Sequence, residues 1–437
     1  MIGDPEIQTT VEQPGTRTAV ALTVVGLATV AGGLIIAAAG GHLGTSLPPF
    51  FVFWDPHVDT YALIGLPVLA ISAAASVPLL RGRGGLWGFL AGVFLIALAA
   101  RLGLSLLRDG ADGWFAVFGT DPEAGNEYLP ALPALDSLGL HAFLDRFAEL
   151  APTLPIHPSA HPPGTLILLD LTGIDSARAF AALVIVAGTA AAPLTYVLAR
   201  RVGIEEDRSR AAAILIAFSP AALLYGVLST DAMFATLGLI AACLLVGSGL
   251  LSWTVGALAL ALASFFSWAL LALGAFAAIF QLLRRGPGPA IGMALAAGVV
   301  LAGFYAALYG VWGFDPLGSI RAAGDAYDLG IANARPYLFW LFGSPVAFAV
   351  ALGLPTAWFA ARALGAGDEV AVGLAVIVVV SVVIGLTKAE TERIWLFMGP
   401  LAAVAAATLV PLRRMPLIVA LLVAQALAAQ ILLDTIW

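Results

Sequence analysis

Residues 18–40 read TAVALTVVGLATVAGGLIIAAAG, 23 positions without a charged side chain. As a helix rising 1.5 Å per residue this segment is about 34 Å long, enough to cross a ~30 Å hydrocarbon core. It is too long for a signal-peptide core and lacks a convincing cleavage site, so it reads as a retained transmembrane helix. Segments of the same kind recur near 60–80, 86–106, 177–199, 211–229, 232–250, 289–311, 337–361, 369–387, 394–412 and 415–433. Between Ser252 and Leu283 lie 32 further, mostly apolar residues. One straight helix of that length would measure about 48 Å, too long for a single crossing. The interruption Ser264-Phe265-Phe266-Ser267-Trp268 predicts a hairpin of two shorter helices instead. The expected fold is all-α, a polytopic membrane protein with about 11–13 transmembrane helices.

Composition agrees. Hydrophobic residues make up 61% of the 437 positions and charged residues 11%, against about 25% charged in ordinary globular proteins. Twenty Lys and Arg and 27 Asp and Glu are too few to clothe soluble domains of this length. Net charge is −7, and no basic cluster offers a nucleic-acid footprint. The single cysteine, Cys243, excludes an intrachain disulfide and a multi-cysteine metal site, and reads as a buried small hydrophobe.

The basic residues orient the chain. With the N-terminus cytoplasmic, the inner loops hold five Arg pairs (81/83, 200/201, 208/210, 284/285 and 413/414) together with Arg17 and Arg362. Three of the remaining basic residues, Arg108, Arg146 and Arg178, attach to one long loop, which translocates largely regardless of charge. The expected location is a plasma (inner) membrane, with residues 1–17 forming a disordered cytoplasmic tail. The outer side then carries the polar material: residues 41–59, a long loop 107–176, the turn Ser229-Thr230-Asp231, a second loop 312–336, and Thr387-Lys388-Ala389-Glu390-Thr391-Glu392-Arg393.

The long loop begins its chemistry at Gly125-Asn126-Glu127-Tyr128-Leu129. Leu135, Leu138, Phe143 and Phe147, set among Asp136, Asp145, Arg146 and Glu149, have the spacing of amphipathic helices lying on a membrane surface. Pro130, Pro133 and Gly139 should break them. His157-Pro158-Ser159-Ala160-His161-Pro162-Pro163-Gly164 follows, and then Thr165–Leu171, apolar but too short to span. That stretch is expected to dip back along the interface.

This order resembles the GT-C superfamily of membrane glycosyltransferases, in particular the protein O-mannosyltransferases and aminoarabinose transferases. The matching residues are Asn126-Glu127-Tyr128, His161-Pro162-Pro163-Gly164, Ser219-Pro220, Thr230-Asp231, and Glu392-Arg393 with Pro400. The resemblance covers about residues 90–410. It implies two extra N-terminal helices over 18–85, a GT-C-like core over 86–412 with extracytoplasmic loop helices, and a C-terminal helix over 413–437. It also implies transfer of a sugar from a polyprenyl-phosphate donor to an extracytoplasmic glycan, lipid or protein acceptor, with a carboxylate as general base. The family's acid is usually the first residue of an Asp-Glu pair, and that position here is Asn126. Either Glu127 takes the role, or a nearby acid such as Asp109, Asp112 or Asp121 does. Arg393 is the first candidate for the departing phosphate, with Arg335 and Lys388 as alternatives. Asn126, Tyr128, His161 and Asp231 complete the expected substrate site.

Plainer readings compete with these. Glu127 is also readable as a solvated loop charge, His161 as a turn-forming hydrogen bonder, and Arg393 as a snorkelling side chain or a partner of Glu392. Pro158 and Pro162 argue against His157 and His161 forming a helical zinc face, and no cofactor is expected, with a divalent metal left open. A transporter or lipid flippase would place ionisable residues at mid-membrane, and a non-catalytic subunit would need none of this chemistry.

Overall fold

The computed structural model describes residues 14–82, 85–385 and 387–435. Most of the expected tail, residues 1–13, lies outside the described residues. The architecture is all-α. The strands among the described residues are Phe53–Trp54 and Leu433–Asp434, which pair antiparallel and tie the first connection to the end of the last helix.

Seven helices are long and apolar enough to cross a membrane: Thr16–Ala38, Ala62–Leu80, Gly85–Asp112, Ala177–Arg201, Trp268–Arg285, Pro287–Trp312 and Leu412–Leu432. Two bent pairs extend the set to nine. Four shorter apolar helices, Asp231–Leu245, Leu250–Ser264, Glu369–Ile384 and Leu396–Ala407, fill the remaining expected positions. The count of 11–13 full spans therefore resolves into full-length, bent and short elements. Residues 337–361 do not form one straight helix. Tyr337–Ala351 and Leu354–Gly365 meet at 117°, because Gly353 adopts φ 94° and a new helix starts at Leu354 with Pro355 in its first turn. Pro220 likewise restarts the chain after Ser219, and Glu206–Ala217 and Pro220–Leu228 differ by 52°. The interruption at 264–268 breaks the chain into two helices, as expected.

Close helix approach rests on small side chains, the usual solution where lipid removes the hydrophobic drive between helices. Leu401 through Ala407 is buried without exception and packs in the middle of the bundle. At one end of the bundle the arginines close the helix termini. Arg210 Nη1 donates to Leu79 O at 3.1 Å, Arg208 Nη1 to Ala407 O at 2.7 Å, and Arg362 Nε to Pro14 O at 3.3 Å. Arg284 pairs with Glu369 at 3.1 Å.

The long loop gathers at the opposite ends of the same helices. Leu132–Asp145 is kinked at Gly139, whose φ of 74° breaks the helix where the sequence predicted a stop. Gly164–Thr172 is a nine-residue helix, buried along Gly164, Thr165, Leu166 and Leu169. Its first amide donates to Phe265 O at 3.0 Å, so this short helix is seated on the break between two neighbouring helices.

Candidate functional site

Asp121 starts a tight turn by accepting the Glu123 amide at 2.9 Å. The turn, Pro122–Asn126, leaves Glu127 extended and directs it and Tyr128 inward. Glu127 is 1% exposed and Tyr128 is fully buried. Asn126 stays with the turn, its amide donating to Glu123 Oε2 at 2.6 Å. Of the pair Asn126-Glu127, only Glu127 is buried in the interior.

The short helix Ile156–Ala160 brings His157 Nδ1 to 2.9 Å from Glu127 Oε1. Both side chains are more than nine-tenths buried. Glu127 Oε2 has no hydrogen-bond partner among the described residues. Burial, with the negative charges of Glu127 and Asp231, pushes the Tyr128 phenol well above its ordinary range, while the nearby hydroxyls of Thr165 and Thr230 act against this. His161 packs against Phe234 with ring centroids 5.3 Å apart. Burial lowers its pKa to about 4, and His157 and Arg393 add to that effect over the opposing pull of Asp231. It is therefore a neutral imidazole at neutral pH, able to donate from one nitrogen and accept at the other.

Asp231 opens its helix and is 6% exposed. Its Oδ2 takes Ser229 Oγ at 2.8 Å and Arg393 Nη1 at 3.1 Å, although Asp231 and Arg393 are 162 positions apart in the chain. Arg393 Nη2 reaches Glu390 Oε2 at 2.9 Å. The other oxygen of Glu390 takes Arg335 Nη2 at 2.7 Å. The result is a ladder of alternating sign, Asp231–Arg393–Glu390–Arg335. Burial works against the Glu390 charge, but the two arginines outweigh it and hold the carboxyl below its usual range. Burial likewise works against Arg393, and Asp231 and Glu390 outweigh it. Arg335 also donates to Lys388 O at 2.6 Å and lies 4.8 Å over the Phe51 ring. Among the described residues Lys388 Nζ makes one hydrogen bond, to Ala332 O at 3.4 Å.

Ala389 and Glu390 carry φ of 66° and 59°, a region that non-glycine residues rarely occupy. The ladder fixes Glu390 in that conformation, and such strain is characteristic of ligand sites.

Asn126 lies outside this constellation, whereas Glu127, Tyr128, His161, Asp231, Arg393, Arg335 and Lys388 fall in or beside it. Asp55 lies elsewhere, paired with Arg108. Sequence reasoning missed three participants. His157 was weighed only as a zinc ligand, and Glu390 and Ser229 were not singled out. The available signal was the loop 387–393, where four charges stand between two apolar helices. Among the described residues no group of three or more His, Cys, Asp or Glu is arranged to hold a metal ion.

Glu392 accepts the Phe51 amide at 2.7 Å. Burial raises its pKa from 4.5 to about 7. A carboxyl whose folded pKa is raised contributes stability fully present below about 4.5 and lost as pH rises through about 7. His161 has the opposite sign, because its lowered pKa costs stability as pH falls from 6.5 towards 4. Comparison with Glu392→Gln isolates the carboxyl. The wild-type protein is expected to lose up to about 3 kcal/mol relative to that variant between about pH 5 and 8. Thermal melts of both proteins across that range check this, and parallel curves would contradict it.

Comparison with protein-family models, with curated proteins and with solved structures finds no match.

Proposed function

We propose that this chain is a membrane glycosyltransferase that moves a sugar from a polyprenyl-phosphate donor to an acceptor hydroxyl outside the cytoplasm. The observation that carries the reading is Glu127, a buried carboxylate with one unpartnered oxygen, 2.9 Å from His157 and within the field of Arg393. An unsatisfied buried charge destabilises a fold, and such sites persist where they serve a ligand.

In this reading Glu127 takes the proton of the acceptor hydroxyl as its oxygen attacks the anomeric carbon. The bond from that carbon to the phosphate oxygen breaks, and polyprenyl phosphate leaves with the electron pair. Lys388 and Arg393 stabilise the departing phosphate. Lys388 is the more available cation, because Arg393 already serves two carboxylates. His161 and Asp231 border the sugar. The acceptor is a cell-envelope glycan, lipid or protein. The test is release of polyprenyl phosphate from a synthetic polyprenyl-phosphate sugar by the purified protein in vesicles. A donor that neither binds nor is cleaved contradicts the proposal.

The orientation proposed with it puts the cluster outside a plasma membrane and the arginine-rich end inside. In a chain with Cys243 replaced, Thr120→Cys and Asp325→Cys are expected to react with an impermeant thiol reagent on intact cells, and Glu205→Cys is not. Labelling of Glu205→Cys reverses the orientation.

One observation favours transport as a second reading: Arg101, within a membrane span, is 2% exposed. Movement of intact donor across vesicles, without cleavage, distinguishes it.

A further inference from the structure

Glu127 needs more than burial to serve as a base. Its side chain turns about several bonds, and a reacting group works only when held within roughly 0.5 Å of its productive place. Among the described residues, His157 is the one side chain at ion-pair distance from this carboxylate, with Nδ1 2.9 Å from Oε1. The contact is short but not yet straight, and catalytic hydrogen bonds often align only when substrate binds. Oε2 has no hydrogen-bond partner among the described residues.

His157 itself is firmly held. Pro155 leads into the short helix Ile156–Ala160 and Pro158 stands directly after the histidine, so φ is locked on both sides of it. Ser159 closes the turn, its amide donating to Pro155 O at 3.0 Å and its hydroxyl to Ile156 O at 2.8 Å. The short helix packs on Pro316–Leu329. The imidazole lies beside the buried Tyr128 ring, with centroids 6.4 Å apart.

A neutral imidazole carries one N–H, and its surroundings decide which nitrogen holds it. A carboxylate at Nδ1 selects the Nδ1–H form. The ring then donates to Oε1 and brings no charge of its own. We propose that His157 is the positioning residue of the transfer reaction. It holds Oε1 through Nδ1 and so aims Oε2 at the acceptor hydroxyl, whose proton Oε2 takes while His157 keeps its own. The inference rests on the transferase reading of Glu127 and adds a role which that reading does not require.

The test measures kcat and donor KM of the full chain in vesicles. His157→Leu is expected to lower kcat by about 10²-fold, the cost of misplacing a reacting group by ~1 Å, with KM nearly unchanged. His157→Asn should recover most of kcat, because the asparagine Nδ2 is bonded to Cγ as Nδ1 is in histidine. His157→Gln should not, since its amide nitrogen lies one bond farther out. In a Glu127→Gln background, His157→Leu should cost little more, because residues acting as a unit are not additive. A purely structural histidine would cost the same in both backgrounds. Nitrogen-15 NMR of the native protein labelled at histidine should show the His157 ring protonated at Nδ1, a readout that needs no turnover. A bare Nδ1, or full activity of His157→Leu beside a dead Glu127→Gln, would overturn the inference and leave the transferase reading standing. If the wild type cleaves no donor, the transferase reading falls and this role falls with it.

Discussion

Glu127→Gln is expected to reduce sugar transfer by about 10²–10⁴-fold, the usual worth of general-base assistance. The amide keeps the shape of the side chain and removes its basicity. Donor binding should stay nearly unchanged, so the loss falls on turnover. The same variant should melt no lower than the wild type. The amide oxygen can still face His157 Nδ1, which lies 2.9 Å from Glu127 Oε1. The desolvation cost relieved by neutralising the buried carboxylate offsets the new unpartnered N–H groups in place of its other oxygen. Loss of activity without loss of stability separates a catalytic residue from a structural one. Asp121→Asn can still accept the Glu123 amide, and Asp55 lies with Arg108 away from the cluster. Both of those variants should transfer sugar normally. If Glu127→Gln is fully active while one of them is dead, the base has been misassigned.

Arg393→Gln carries the largest expected effect on the fold. Arg393 and Asp231 each keep 7% side-chain exposure, and Glu390 keeps 12%. Removing the cation leaves Asp231 without its arginine and Glu390 with Arg335 alone. Breaking a buried ion pair by deleting one partner typically costs 3–5 kcal/mol. Arg393→Lys should recover little, because an ammonium cannot span two carboxylates as a planar fork does. The double variant Arg393→Gln, Asp231→Asn should recover a substantial part of the loss, since it also removes one orphaned charge. Denaturant or thermal unfolding in detergent checks all three. A single variant as stable as the wild type would mean that the ladder is not what holds the loop 387–393 in place.

The all-α membrane fold was legible because apolar runs of about 20 residues have few other uses, and the break at 264–268 was legible from its polar edges. The bend at Gly353 was not. A glycine between two apolar helices is common, and both its left-handed φ and the approach of Leu422 to its open side belong to the folded bundle. In the candidate site, Glu127, His161, Asp231 and Arg393 are each visible in the sequence as polar residues in segments between apolar runs. Their convergence was not visible, because Asp231 and Arg393 meet only through the folded bundle. His157 was discounted for a sound local reason, a proline directly after each histidine of the pair, but that reason bore on metal ligation alone. Its partner proved to be a carboxylate thirty positions upstream, and nothing in local spacing encodes such a contact. Glu390 and Glu392 illustrate the same limit. Two residues apart, they face opposite ways, one into the arginine ladder and one towards the Phe51 amide.

The measurement that bears most directly on the central claim is a structure of the protein with a polyprenyl-phosphate sugar bound. The phosphate is expected beside Lys388 and Arg393, with the anomeric carbon facing the side of Glu127 that carries the unpartnered oxygen. A donor bound with its phosphate at the arginine-rich opposite end, or with its sugar remote from Glu127, would contradict the account.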